Sequence, residues 1–200
     1  MEITYAVYVN DTLVGEADLL ARVATYQGYF PKGQDPDGLV TLPATRRGEP
    51  LQFGDNLTYL VTQLCFQSIP PLAAGEKAVV DFFSSPAEVV LTPEGDSVVL
   101  SSSEFPETFA FPRAEFLRAL FDCGTRYLAF LKQVQVDTPN PVPPQPDDTD
   151  DFPVLPPDEG VPEDEGPPEA PPVILGDGPG KRQSLDETVS RAQAALDRVA

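Results

Sequence analysis

The chain has 200 residues, with 32 acidic against 13 basic side chains and no histidine, for a net charge of −19. Phosphate backbones and anionic membrane surfaces repel such a chain, so nucleic acid and membranes are disfavoured and a basic protein partner is the electrostatic complement. The missing histidine removes Ser-His-Asp and Cys-His nucleophile systems and most zinc sites.

Ile3, Tyr5, Val7 and Val9 alternate with Thr4, Ala6 and Tyr8, a period-two pattern that predicts a strand. Asn10-Asp11 is a turn pair, and Thr12-Leu13-Val14 returns as a second strand. A short helix is expected over 18–24, an irregular Gly/Pro-punctuated loop over 27–37, and a strand over 39–42. The clearest helix follows Gly54. Asp55 or Asn56 can cap it, and Leu57, Leu60, Val61, Leu64, Cys65 and Ile69 form its apolar stripe. Pro70-Pro71 is expected to stop it.

Four strands follow at 78–83, 87–92, 96–101 and 107–111, joined by connections short enough to demand antiparallel neighbours. Pro112 then opens a second long helix, at the first-turn position proline prefers. Phe116, Leu120, Cys123, Tyr127 and Leu131 define its inner face, widened by Leu117, Phe121 and Leu128. Gly124 in its middle costs roughly 1 kcal/mol of helix propensity and suggests close approach to a sheet. The pattern predicts an α+β fold over residues 1–137: an antiparallel β-meander covered on one face by two longer helices.

Residues 138–183 change character. Fourteen prolines fall between Pro139 and Pro179, and no Lys or Arg lies between Lys132 and Lys181. Such a composition predicts a disordered acidic spacer biased toward polyproline II. Two small apolar islands interrupt it, at 152–155 and 173–175. Residues 184–200 read as a short amphipathic helix. Ser184 and Glu187 make a capping box, and Leu185, Val189, Ala192, Leu196 and Val199 form a heptad-like seam. So short a helix is marginal alone, so the seam requires a surface: this body, a second copy or a partner groove.

Chemistry is hard to find. The Gly176–Arg182 stretch fails as a phosphate loop because Leu175 and Arg182 stand where Gly and Ser or Thr are needed. The acidic run 147–151 lacks the turn glycine and distal glutamate of a calcium loop. Asp81, Glu88, Glu104 and Glu107 are candidates for carboxylate acid–base work, as in glycosidases, but nothing singles out a pair. Cys65 and Cys123 lie on apolar stripes and read as buried hydrophobes, with a disulfide left to geometry. No catalytic residue, metal or cofactor is expected. With no signal-like N-terminus and no membrane-length apolar run, the expectation is a cytoplasmic protein.

A protein-binding module is what these exclusions leave. In size, acidity and the helix–meander–helix order from Asp55-Asn56-Leu57 to Leu131, the body resembles the small acidic immunity proteins of bacterial polymorphic toxin systems. The likeness covers about two thirds of the chain and is one of architecture, so it brings no site residues. It implies an inhibitor that presses an acidic face on a basic partner. The alternative is an adaptor or assembly protein whose tail tip docks on a larger partner.

Overall fold

The computed structural model describes residues 1–31, 34–135 and 184–199. The spacer expected over 138–183 lies outside the described residues, with its two apolar islands, its acidic run and the failed phosphate loop.

The fold is α+β, and its strands form two sheets rather than one meander. β1 (Thr4–Val9), β2 (Thr12–Gly15), β3 (Asp37–Arg46) and β4 (Glu49–Asn56) make an antiparallel sheet in the order β2-β1-β3-β4. β5 (Ala78–Asp81), β6 (Glu88–Glu94), β7 (Ser97–Ser102) and β8 (Phe105–Pro112) make the second, which is the meander that the short connections predict. Asn10 and Asp11 both take left-handed backbone, φ 47° and 60°, closing a two-residue hairpin between β1 and β2. Arg47 and Gly48 do the same between β3 and β4, at φ 54° and 89°.

β4 is the strand the sequence pattern leaves unassigned. Pro50 argues against a central strand, but β4 is an edge, where a missing N–H is tolerated. Its Leu51 and Phe53 point inward and are buried. Because β4 runs to Asn56, the following helix starts without a loop.

That helix is not continuous. Asn56 caps it, accepting the Tyr59 N–H at 3.0 Å. α3 (Leu57–Val61) passes into a π-helical segment, Thr62–Gln67, and then into α4 (Ile69–Ala73). Pro70-Pro71 does not stop it, because the wide turn restarts the helix. The prolines then sit in the first turn of α4, where the absent N–H groups have no intrahelical partner to lose. The expected stripe, Leu57 to Ile69, is buried throughout.

Near the N-terminus, one expected short helix is two: α1 (Glu16–Ala21) and α2 (Val23–Tyr26), broken at Arg22. α5 (Arg113–Val134) is the second long helix and reaches both sheets. Near its start Phe116 stacks on Phe111 of β8 at 4.6 Å, and toward its end Tyr127 meets the ring of Tyr5 of β1 at 5.3 Å. Gly124 serves a close approach, but to the π segment rather than a sheet. A Cβ there would lie 2.5 Å from the Phe66 ring and 2.8 Å from Cys65 Cβ.

α6 (Leu185–Leu196) packs on this body, against α4, the π segment and α5. Ser184 Oγ accepts the Glu187 N–H at 3.3 Å, the backbone half of the expected capping box. Among the described residues, no helix is long and apolar enough to cross a membrane.

Candidate functional site

The expected tip residues divide. Ala192 is fully buried against the body, and Val189, Leu196 and Val199 pack partly on it, whereas Leu185 is exposed. Thr188 and Ala195 complete the buried face. Small side chains at this contact let α6 lie close to its neighbours.

The carboxylate candidates do not gather into a cleft. Glu107 lies between two arginines, with Arg46 Nε at 3.2 Å and Arg47 Nε at 3.5 Å. Its own backbone N–H, against desolvation and with help from Arg46 and Arg47, holds its carboxyl below the usual range. Arg46 also lies over the Phe105 ring at 4.5 Å, so this group fastens β3 to β8. Glu104 is exposed on the turn between β7 and β8. Asp81 and Glu88 face each other as register partners on β5 and β6, both exposed. Among the described residues, no Lys or Arg forms an ion pair with either. Nor do the described residues hold a group of three metal-ligating side chains.

One ion pair, with a buried carboxylate, joins α1 and α5 to the start of the first sheet. Arg126 donates to both oxygens of the buried Glu16 and, at 2.7 Å, to the Ile3 carbonyl. The hydrogen bond it donates to Glu16 keeps the guanidinium firmly charged, outweighing its partial burial. Close by, Tyr5 Oη is buried without a hydrogen-bond partner, and burial, then Glu16, pushes that phenol well above its ordinary pKa. Cys65 and Cys123 are free thiols in contact on facing elements. The hydrogen bond between them, then burial, pushes the Cys65 thiol well above its ordinary pKa.

The site that sequence reasoning missed is Phe83. It follows β5 and is 75 % exposed, far more than any other large apolar side chain of the described residues. Its neighbour Phe82 turns inward, with its ring 5.9 Å from that of Phe53. The backbone between them is held by Asp55, a buried residue of β4. The Asp55 carboxylate accepts the N–H of Phe83 through Oδ2 and that of Ser84 through Oδ1, the latter at 3.1 Å. Burial opposes ionisation of Asp55. Hydrogen bonds from the Ser84 side chain and from the Asn56, Phe83 and Ser84 N–H groups outweigh it and bring the carboxyl below its usual range. Ser85 Oγ accepts the Ala87 N–H at 3.1 Å and closes the rest of the turn. The Phe83 ring rests 5.9 Å from that of Tyr59 on α3.

The result is an apolar ring presented to solvent on a rigid turn. Exposed Val79 lies back along β5, and the facing acids Asp81 and Glu88 lie beside the turn. The one legible signal was Asp81 within Val79-Val80-Asp81-Phe82-Phe83: strict alternation along that run carries Phe83 outward with Asp81. No protein-family model, curated protein or solved structure matches the chain.

Proposed function

We propose that the protein is a protein-binding module of the inhibitor or immunity type, which engages a basic partner through Phe83 and the acids beside it. The observation that carries this reading is the exposed Phe83 ring on a turn locked by a buried carboxylate. Aromatic side chains whose conformation is fixed before binding give up little entropy on association and are the usual anchors of interfaces. Asp81 and Glu88, like charges directly opposite each other, repel in the free protein. An arginine or lysine from a partner relieves that repulsion as it docks, which couples the charge of the chain to the anchor.

The adaptor reading needs a free tail tip. With Ala192 buried and Val189, Leu196 and Val199 packed on the body, such a tip must first leave its seat.

Affinity capture with the full chain, run in parallel with F83A and with the double variant D81N/E88Q, tests the proposal. The wild type retains a protein of basic isoelectric point that F83A loses and that D81N/E88Q binds more slowly and with weaker salt dependence. Equal retention by F83A, or an acidic partner, overturns it.

A further inference from the structure

The outer face of the second sheet carries an inference that rests on the Phe83 reading and extends it to the form of the partner. Val80, Val89, Leu91, Val98 and Leu100 are buried, so the residues that alternate with them point away from the core. Val79, Val90, Val99 and Ala110 are among these, one on each strand. Val79 is the register partner of Val90, and Val99 of Ala110. Val90 is opposite Ser101 and Val99 opposite Thr92, so the two central valines are diagonal neighbours. Val79 and Ala110 are exposed, Val90 and Val99 are half-buried, and none of the four packs on the hydrophobic core. They form an apolar band across the whole sheet, and Phe83 follows Val79 on the same side of the chain.

Charge says what fits there. Residues 78–112 hold six acids and no Lys or Arg. Glu107 is paired with Arg46 and Arg47, while Asp81, Glu88, Glu94, Asp96 and Glu104 are exposed and, among the described residues, in no ion pair. Three of these share one end of the band. The Ser103 N–H donates to the Glu88 carbonyl at 3.1 Å and the Glu88 N–H to Ser103 Oγ at 2.9 Å, so Glu104 joins Asp81 and Glu88 there. Lys77 and Arg113, the nearest bases along the chain, stand at the other end, with Glu94 and Asp96. A second copy would set acid against acid on this face, so a cationic partner is the complement.

The sheet also selects the form of that partner. A strand added at an edge would meet β5, only four residues long, or β8, which has Pro106 and Pro112 near its ends, and both are poor templates. The face suits a helix. Neighbouring strands lie about 4.8 Å apart, so the band spans about 14 Å. Apolar residues on one side of a helix recur every three or four positions, about 5 Å along its axis. A helix laid across the strands therefore sets one apolar side chain against each. An extended chain, whose same-side residues recur at about 6.8 Å, loses that match.

We propose that this face receives a cationic amphipathic helix of the basic partner, laid across the four strands, with its apolar stripe on Val79, Val90, Val99 and Ala110 and its Lys or Arg residues toward Asp81, Glu88 and Glu104.

Titration of the isotope-labelled full chain with a synthetic Leu/Lys peptide about 18 residues long, its leucines at helical spacing, tests this. Amide shifts should concentrate at Val79, Val90, Val99 and Ala110 and at Glu88 and Glu104. A peptide of the same composition, ordered so that it has no apolar side, should bind at least about tenfold more weakly. V79T/V90T/V99T keeps the β-branched shape, removes apolar surface, and should lose at least about tenfold in affinity for the first peptide. Equal binding of the two peptides, a threonine variant that binds like the wild type, or shifts centred on the first sheet overturn the proposal. The wild-type shifts decide it should the threonine variant fail to fold. A dimer of the chain alone in sedimentation, dissolved in the threonine variant, assigns the face to a second copy and overturns it too. F83A separates this footprint from the Phe83 reading. Binding lost in F83A but kept in the threonine variant upholds Phe83 and overturns the footprint. The reverse upholds the footprint and removes Phe83 as the anchor.

Discussion

The carboxylate of Asp55 accepts the backbone N–H of Phe83, so a buried acid on β4 fixes the most exposed aromatic ring among the described residues. Asp55 belongs to the first sheet and Phe83 to the turn after β5 of the second, and removing either should have opposite consequences. F83A leaves a solvated position empty and should change stability by less than about 0.5 kcal/mol. It should nonetheless weaken partner binding by tenfold or more, as loss of an interface anchor does. D55A strands two N–H groups and should cost about 1–3 kcal/mol of stability. Urea denaturation of both variants, beside the capture experiment, separates anchor from scaffold.

The same pair predicts a pH dependence. Hydrogen bonds lower the Asp55 pKa in the folded state, so the unfolded chain holds that proton more tightly. The stability this contributes is complete above the unfolded value of about 3.9 and is lost as pH falls through the folded value. Unfolding free energy measured from pH 6 down to pH 2.5 should therefore fall less steeply in D55N than in the wild type. Glu107 is lowered as well, so E107Q is the control that isolates Asp55. Identical slopes for wild type and D55N would remove Asp55 from the acid transition.

Position 124 sets two effects against each other. Alanine in a helix interior gains about 1 kcal/mol over glycine. Here its Cβ would meet the Phe66 ring at 2.5 Å and Cys65 Cβ at 2.8 Å, and a ring packed at 0 % exposure has little room to yield. Overpacking costs about 1–3 kcal/mol, so the clash outweighs the propensity and G124A should be net destabilised. A higher denaturation midpoint for G124A would show that α5 and the π segment can move apart.

Much of this was legible because burial imposes a period. The stripe from Leu57 to Ile69, the inner face of α5 and the four-strand meander each follow from one residue type recurring at one spacing. The failures have a common cause, in that tertiary contacts overruled a local rule. Pro50 obscures β4 in the pattern, although an edge strand tolerates it. Pro70-Pro71 read as a stop, although a π turn converts it into a start. Of the two candidate caps, Asn56 is the one that caps, while the Asp55 side chain serves a turn 28 residues further along the chain. Phe83 falls at the end of the expected strand, and the pattern shows alternation but not which residue has lost its cover.

The thiol pair gives a chemical test of the core. Cys65 and Cys123 are wholly buried, and the contact between them holds the Cys65 thiol protonated far above neutrality. Alkylation requires thiolate and access; burial withholds access at both thiols, and Cys65 is held protonated as well. Iodoacetamide at pH 8 should therefore leave the native mass unchanged over hours, while in denaturing urea both residues are labelled promptly. Fast labelling of the native protein at either cysteine would mean that the π segment and α5 separate readily.

The seat of α6 can be tested at Ala192, which is fully buried against the body. A192E forces a carboxylate into a contact built from small side chains, in a protein already at −19. Burying an unpaired charge is costly enough that the helix should leave rather than accept it. The body keeps its own core of two sheets and α5, so it should stay folded. The tip, marginal as a free helix, should fray. Limited trypsin digestion reads this directly. In the wild type Arg191 lies on a docked helix and Arg198 in the turn that follows it, and in A192E they should be cut several-fold faster while cleavage within α5 is unchanged. If A192E accelerates cleavage throughout the body, α6 is an integral part of the core. If neither region responds, the contact at Ala192 does not hold the helix in place.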